Sequence, residues 1–292
     1  MSKFEASELT LDKDGKVYHL GLGPNDIAET VILVGDQDRV KFIGSFFDTI
    51  SFETQNREFC TLTGVYKGKN LSVISTGIGT DNIDIVLNEL DAVVNINLIT
   101  RQENTIKKTL KLIRIGTCGA LQENIAPGSH IISKYAIGLD GVANFYQIPY
   151  STNEREAIES FITTTNWSSE LNTPYIKKSS DQLFNLLSDQ MISGITITAN
   201  GFYGPQGRAI RIPLSLPDFK DTIRQFNWDN TQVTNLEMET SALYALSAAL
   251  GHEAVTVCLV LANRYTNSFE PNYSTKMGNL IEMVLNRLTK QG

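Results

Sequence analysis

The feature that most constrains this chain is an alternation: short β-branched, apolar runs that end at a glycine or a polar turn are interleaved with longer segments of helical period. Runs 30–35, 71–77, 110–116, 130–137, 194–199 and 254–263 read as strands. Segments 36–47, 82–98, 181–191, 239–250 and 273–289 read as helices; in 239–250, for example, Ala242, Leu243, Leu246, Ala249 and Leu250 form one apolar stripe. Strands joined through helices lie largely parallel, with helices over both faces. The pattern therefore predicts an α/β fold. No internal repeat, heptad run or low-complexity tract interrupts it. Two stretches read as surface decoration: 99–109, with Arg101, Glu103, Lys107 and Lys108, and 150–174, rich in Ser, Thr and Asn.

Charge and cysteine usage narrow the function classes. The chain has 292 residues, with 25 Lys+Arg against 32 Asp+Glu and a net charge of −7, which argues against a nucleic-acid partner. The longest apolar run, 255–262, is far shorter than the roughly 20 residues that cross a bilayer, so no membrane association is expected. The N-terminus carries charges where a secretory signal needs an apolar stretch. Cys60, Cys118 and Cys258 are odd in number and show no C-x-x-C, and His19, His130 and His252 show no metal-ligand spacing. A cytoplasmic protein without a metal is the expectation.

Glycines cluster at strand ends in Gly35-Asp-Gln-Asp-Arg39, Gly77-Ile-Gly-Thr80, Gly116-Thr-Cys-Gly119 and Gly201-Phe-Tyr-Gly-Pro-Gln-Gly-Arg208. Each either turns the chain or lets backbone N–H groups approach an anion beyond the carboxyl end of a strand. None is a Walker A loop or a complete dinucleotide fingerprint. Arginines add to the second reading. Arg39 follows the first glycine turn, Arg57 sits in Asn56-Arg57-Glu58-Phe59, and Arg114 closes an apolar strand where an unpartnered charge would be costly. A guanidinium matches a tetrahedral oxyanion bidentately, although a structural carboxylate would also satisfy Arg114. Glu237-Met238-Glu239 precedes a helix, where a carboxylate either complements the helix dipole or accepts two hydrogen bonds from a cis-diol. Asn263-Arg264, at the end of the last buried run, is either a turn or a polar pair on a pocket floor.

Taken in order, Tyr18-His-Leu-Gly-Leu22, Gly35-Asp-Gln-Asp-Arg-Val40, Arg57-Glu-Phe59, Ser75-Thr-Gly-Ile-Gly79, Arg114-Ile-Gly-Thr117, Phe202-Tyr203 with Gln206 and Arg208, Glu237-Met-Glu239 and Asn263-Arg264 resemble the signatures of the uridine phosphorylase branch of the nucleoside phosphorylase family. The resemblance runs from about His19 to the C-terminal helix. It implies a single-domain, three-layer αβα fold with a central mixed, partly barrel-like sheet, preceded by an N-terminal extension over 1–17 and interrupted by an insertion near 99–109. It also implies reversible phosphorolysis of uridine to uracil and α-ribose 1-phosphate, with no cofactor, in a homo-oligomer (a dimer or a trimer of dimers) whose sites are shared between subunits.

Carried over by position, the resemblance implies that Gly35, Arg39, Arg114 and Thr117 bind phosphate together with Arg57 of a neighbouring subunit. It implies ribose contacts from Thr117, Met238, Glu239 and a neighbour's His19, and base contacts from Phe202, Gln206 and Arg208, supported by Arg264. Arg208, Gln206, Arg114 and Glu239 are the implied catalytic groups. Purine-specific relatives place an aspartate near Asn263, so uridine is favoured over inosine or adenosine. A purine nucleoside phosphorylase, a phosphate-independent nucleosidase and a non-catalytic nucleoside-binding protein are the alternatives. The sequence departs from the family pattern at Gly204-Pro205, where the usual order is Pro-Gly, and at Asn200-Gly201, where Asp-Thr is common. Some relatives hold an interfacial potassium ion through a glutamate, an isoleucine carbonyl and a serine; Glu58 and Ile78 match, but Asn82 stands in place of the serine.

Overall fold

The computed structural model describes residues 3–289, and in it the expected strands assemble into a single twisted sheet. In chain order its strands are β1 (Thr30–Val34), β2 (Thr49–Asn56), β3 (Phe59–Tyr66), β4 (Lys69–Ser75), β7 (Lys111–Ala120), β8 (His130–Gly138), β9 (Tyr175–Lys178), β10 (Ile192–Thr198), β11 (Asn227–Trp228), β12 (Thr231–Glu237), β13 (Glu253–Asn263) and β14 (Ser268–Phe269). A separate hairpin pairs β5 (Ile96–Asn97) with β6 (Gln102–Glu103). The helices are α1 (Gln37–Gly44), α2 (Thr80–Asn95), α3 (Thr152–Thr165), α4 (Asp181–Leu187), α5 (Phe219–Ile223), α6 (Thr240–Leu250) and α7 (Tyr273–Thr289).

Strand β7 organises the sheet. Its first residues run parallel to β1, whereas Gly119 and Ala120 at its far end pair antiparallel with Leu236 and Asn235 of β12. Between those ends it runs parallel to β13 over nearly its whole length. The order β7-β13-β8-β10-β12 thus returns to β7 and closes a five-stranded barrel, while β1, β4, β3 and β2 extend from it as an open wing. Closure removes the unpaired edges that five open strands would expose. The parallel strands β1, β4, β7 and β13 point their carboxyl ends to one side, where ligands bind in sheets of this type, while β8, β10 and β12 form a second parallel set that meets β13 and β7 antiparallel.

Apolar faces fix the layers. Ile83, Leu87 and Leu90 of α2 share one buried cluster with Leu243 and Leu246 of α6. On the other face, Val40 and Ile43 of α1 pack with Leu183 and Leu187 of α4 and Leu280, Ile281 and Val284 of α7. The result is the expected helix–sheet–helix arrangement.

Two expectations change. Segment 150–174 is more than decoration. Ser151 and Glu154 form a capping box that starts α3, whose Ala157 and Phe161 are fully buried against the barrel's Ile195 and Ile197. Polar Thr163, Thr164 and Thr165 masked an amphipathic helix that buries only every third or fourth residue. The insertion near 99–109 is the β5–β6 hairpin. It is tied to the N-terminal extension by the bridge from Lys3 to Gln102 and by the Phe4 N–H donating to the Arg101 carbonyl. The hairpin of β2 and β3 and the strand β12 had no expectation attached. Phe161 meets Phe226 edge-on at 5.1 Å between ring centroids. Phe161→Ala is expected to lower unfolding free energy by about 3–5 kcal/mol, the usual cost of emptying an aromatic core site, as read by urea denaturation.

Candidate active site

Arg114 lies inside β7, which runs on to Ala120 rather than ending at 116 as expected; the side chain is buried, and its guanidinium meets two carboxylates. One terminal nitrogen bonds the Glu239 carboxylate, and the other lies 3.4 Å from Glu237 Oε2 and 3.8 Å from Cys258 Sγ. The guanidinium folds over Gly116, two residues along the same strand and so on the same face. A Cβ at Gly116 would fall 1.9 Å from Arg114 Nη1, so no larger residue fits beneath the guanidinium. This close approach is what the Gly116 position supplies.

The two carboxylates do different work. Glu237 accepts from the Thr198 hydroxyl at 2.6 Å and from the backbone N–H groups of Glu239 and Thr240, both at 3.0 Å. It therefore caps the start of α6, where Glu239 itself makes no side-chain cap. Glu239 accepts from the Gly79 N–H at 2.8 Å, a bond that draws the Gly77–Gly79 turn over the site. Burial pushes the Glu239 carboxyl up, Arg114 opposes that, and Glu237 adds to it. The two neighbouring glutamates raise the Arg114 pKa despite burial, so its charge is fixed at every working pH. Arg114 Nε has no partner among the described residues, a buried donor facing no acceptor.

Arg39 approaches the same place from α1. It pairs with Asp36 at 2.8 Å and donates to the Ile115 carbonyl at 3.3 Å. Burial lowers its pKa, Asp36 works against that, and the charge of Arg114 lowers it further, which sets the two guanidiniums as neighbours. Gly35 stands at the end of β1, 3.9 Å from the Gly77 carbonyl by its would-be Cβ. Thr117 and Met238 are half-buried beside this cluster, and the Thr117 hydroxyl makes no hydrogen bond among the described residues. Two cations, a hydroxyl and a buried carboxylate brought together here suit an oxyanion beside a polyhydroxyl group.

The loop after β10 holds the second group. Gln206 is buried, and Arg208 Nη1 donates to its Oε1 and to the Phe202 carbonyl, each at 2.5 Å. The Arg208 guanidinium stacks 3.8 Å over the half-exposed Phe202 ring, within cation–π range. Burial, reinforced by Arg264, lowers the Arg208 pKa to about 10, still cationic at neutral pH. Arg264 donates to the Gln206 carbonyl at 3.3 Å, and its own N–H bonds the Ala120 carbonyl at the end of β7. Strand β7 thereby links the two groups. The inverted Gly204-Pro205 pair does not scatter them, because a 3₁₀ turn over Gly204–Gln206 ends at Gly207, and the Arg208 N–H returns to the Tyr203 carbonyl. Gly201 and Pro205 are matched: a Cβ at 201 would lie 2.8 Å from Pro205 Cγ, so the small residue at 201 admits the proline ring.

His19 and Arg57 form a third, more exposed group. The Asn56 amide donates to the carbonyls of Tyr18 and His19, and Arg57 lies over the Tyr18 ring at 5.6 Å. His19 Nδ1 is 2.6 Å from Glu89, and Gln37 bonds the Arg57 carbonyl at 2.7 Å. No hydrogen bond or ion pair among the described residues joins this group to Arg114, Glu239 or Gln206. Glu58 and Asn82 both reach Gly77. Among the described residues, no three His, Cys, Asp or Glu side chains are placed together to hold a metal ion.

The barrel with its paired cations and carboxylates is an α/β architecture suited to an oxyanion, and comparisons with known proteins say which family the chain belongs to. Residues 29–288 match the phosphorylase superfamily. A uridine phosphorylase of Thermococcus kodakarensis is 33% identical over 272 residues, covering 92% of this chain and 85% of that relative. A DeoD-type purine nucleoside phosphorylase of Caldanaerobacter subterraneus is 29% identical over 243 residues, covering 83% of this chain and 86% of the relative. Among solved structures, a Trypanosoma brucei nucleoside phosphorylase described as showing uridine phosphorylase activity superposes with a TM-score of 0.86 at 28% identity, over 97% of this chain and all of that one. The chain belongs to the phosphorylase superfamily as a nucleoside phosphorylase, a pentosyltransferase-type enzyme that uses nucleoside and phosphate.

Gly116→Ala tests the seat of Arg114. Displacing the guanidinium leaves Glu237 and Glu239 buried without their cation, so stability should fall by about 3 kcal/mol or more in thermal melts, and phosphorolysis should fall with it.

Proposed function

We propose that the enzyme is a uridine phosphorylase, converting uridine and phosphate reversibly to uracil and α-ribose 1-phosphate. The observation that carries this reading is the Gln206–Arg208 pair. Gln206 Oε1 is held by Arg208 but keeps a second lone pair for the uracil N3–H. The Gln206 amide and the remaining guanidinium N–H groups are donors for O2 and O4. That donor–acceptor order suits a pyrimidine diketo edge, and a site built on it leaves polar groups unpaired with other bases.

In this reading Gly35, Arg39, Arg114 and Thr117 hold phosphate, and Arg57 of a second copy completes the shell. Glu239 takes the ribose 2′- and 3′-hydroxyls, Met238 packs on the sugar, Phe202 stacks on the base, and a second copy's His19 meets the 5′-hydroxyl. The exposure of Arg57 and the partial exposure of His19 support their use by another copy. As the glycosidic bond lengthens, the sugar takes on oxocarbenium character and phosphate attacks the anomeric carbon from the opposite face. Negative charge grows on the departing uracil, so donation from Gln206 and Arg208 strengthens in the transition state. Fixing the two reactants in line supplies further acceleration.

Asn263 argues against the purine reading that the DeoD-type relatives raise. Its Nδ2 donates to the Gln122 and Ile125 carbonyls at 2.8 and 2.7 Å, and its Oδ1 accepts from the Tyr265 and Thr266 N–H groups. The side chain is buried and fully engaged with backbone, with nothing left to protonate a purine.

Purified protein incubated with uridine, thymidine or inosine, with and without phosphate, should release uracil from uridine only when phosphate is present; equal release without phosphate sinks the mechanism. Arg208→Ala should lower kcat/KM for uridine at least tenfold, roughly 1.4 kcal/mol of transition-state stabilisation. Asn263→Asp should gain no inosine cleavage and should lose about 1–3 kcal/mol of stability in thermal melts, because two buried carbonyls lose their donor.

A further inference from the structure

Behind the loop that carries Gln206 lies a cavity of about 670 Å³, within the size range of sites for small organic molecules. Trp167, Leu171, Ile212, Leu214 and Phe219 supply apolar walls, while Tyr203, Gly204 and Pro205 form the wall shared with the base loop. Phe202, Gln206 and Glu239 do not line it, so it adjoins the proposed nucleoside site and shares Arg208 with it rather than coinciding with it. Its charge pattern is one-sided. Arg208 and Arg211 line it, no aspartate or glutamate does, and neither arginine has a carboxylate partner among the described residues. In a chain of net charge −7, two cations without a carboxylate partner among the described residues, beside an apolar hollow, suit an anion with an apolar body.

We propose that this cavity is an effector site for a compact aromatic or branched apolar molecule bearing one carboxylate or sulfonate, and that its occupant acts on the base loop. The anion pairs with Arg211 at the rim and draws on Arg208, while the apolar body fills the space against Trp167, Leu171 and Phe219. A bound molecule braces Tyr203–Pro205 from behind. Since Arg208 also holds Gln206 Oε1, the occupant changes the free energy of base binding on the other side. That coupling rests on the base-reading role proposed above; the binding site itself does not.

The test is a fluorescence titration of the intact protein with 1-anilinonaphthalene-8-sulfonate. Binding should saturate at one probe per chain, weaken at least fivefold in Arg211→Glu, and disappear in Leu171→Trp, which fills the cavity, with circular dichroism unchanged in both. Unaltered binding in both variants overturns the site. Linkage is reciprocal, so saturating uracil with phosphate should change the probe's affinity three- to tenfold and then plateau. An apparent Kd that rises without limit as uracil is added places the probe in the nucleoside site and overturns the proposal, and no change overturns the coupling. Calorimetric titration with uracil alone separates the two readings: absence of uracil binding refutes the uridine assignment, while the two variants still decide the site.

Discussion

Everything at the mouth of the barrel depends on how Arg114 is buried. A guanidinium taken from water without partners would cost several kcal/mol, and removing one partner of a buried pair typically costs about 3–5 kcal/mol. Three parts of the chain meet that requirement. Strand β7 brings the arginine and, at Gly116, the space for it, the junction from β12 to α6 presents Glu237 and Glu239, and the Gly77–Gly79 turn steadies Glu239 through one N–H. The barrel cannot close between β7 and β12 without also setting this cluster, because Glu237 is the last residue of β12. Stability and the proposed binding of phosphate and ribose are therefore built from the same side chains.

The same strand joins the chemistry to base recognition. Ala120 and Gly119, at the end of β7, receive Arg264, which supports Gln206 from beneath. A substrate held between the two groups would be gripped by parts of one rigid element rather than by two independent loops. The loop sequence shows how a departure from a family pattern is absorbed. Proline at 205 is compatible with the fold because position 201 has no side chain for it to strike, and the turn still delivers Gln206 and Arg208 side by side.

Net charge is a poor guide to local function here. At −7 the chain looks unsuited to anions, yet its arginines are placed where carboxylates do not fully neutralise them. Arg39 shares one exposed aspartate, Arg114 keeps a donor without a partner, and Arg208 and Arg211 face an apolar hollow. Acidic residues elsewhere on the surface set the total, while burial and pairing set the field at the site.

The sequence by itself determined the α/β class and the course of most strands, although β7 runs on to Ala120, past the expected end at 116. Period-two and period-3.6 patterns are local, and glycine, arginine and glutamate at strand ends carry their chemistry in their residue type. It did not reveal α3, whose polar exposed face hid Ala157 and Phe161, or the β2–β3 hairpin, whose outer strand is mostly exposed and lacks a strong apolar alternation. Only the tertiary structure decided which reading of each ambiguous residue applied. Glu237 is a helix cap while Glu239 takes the arginine, Asn263 is consumed by backbone, and Gly116 is a seat rather than a turn. The Glu239 and Asn263 outcomes depend on partners more than 100 residues away, and the Gly116 outcome on the space left by a neighbour. Such facts arise when strands distant in sequence are brought into one barrel, and no local pattern encodes them.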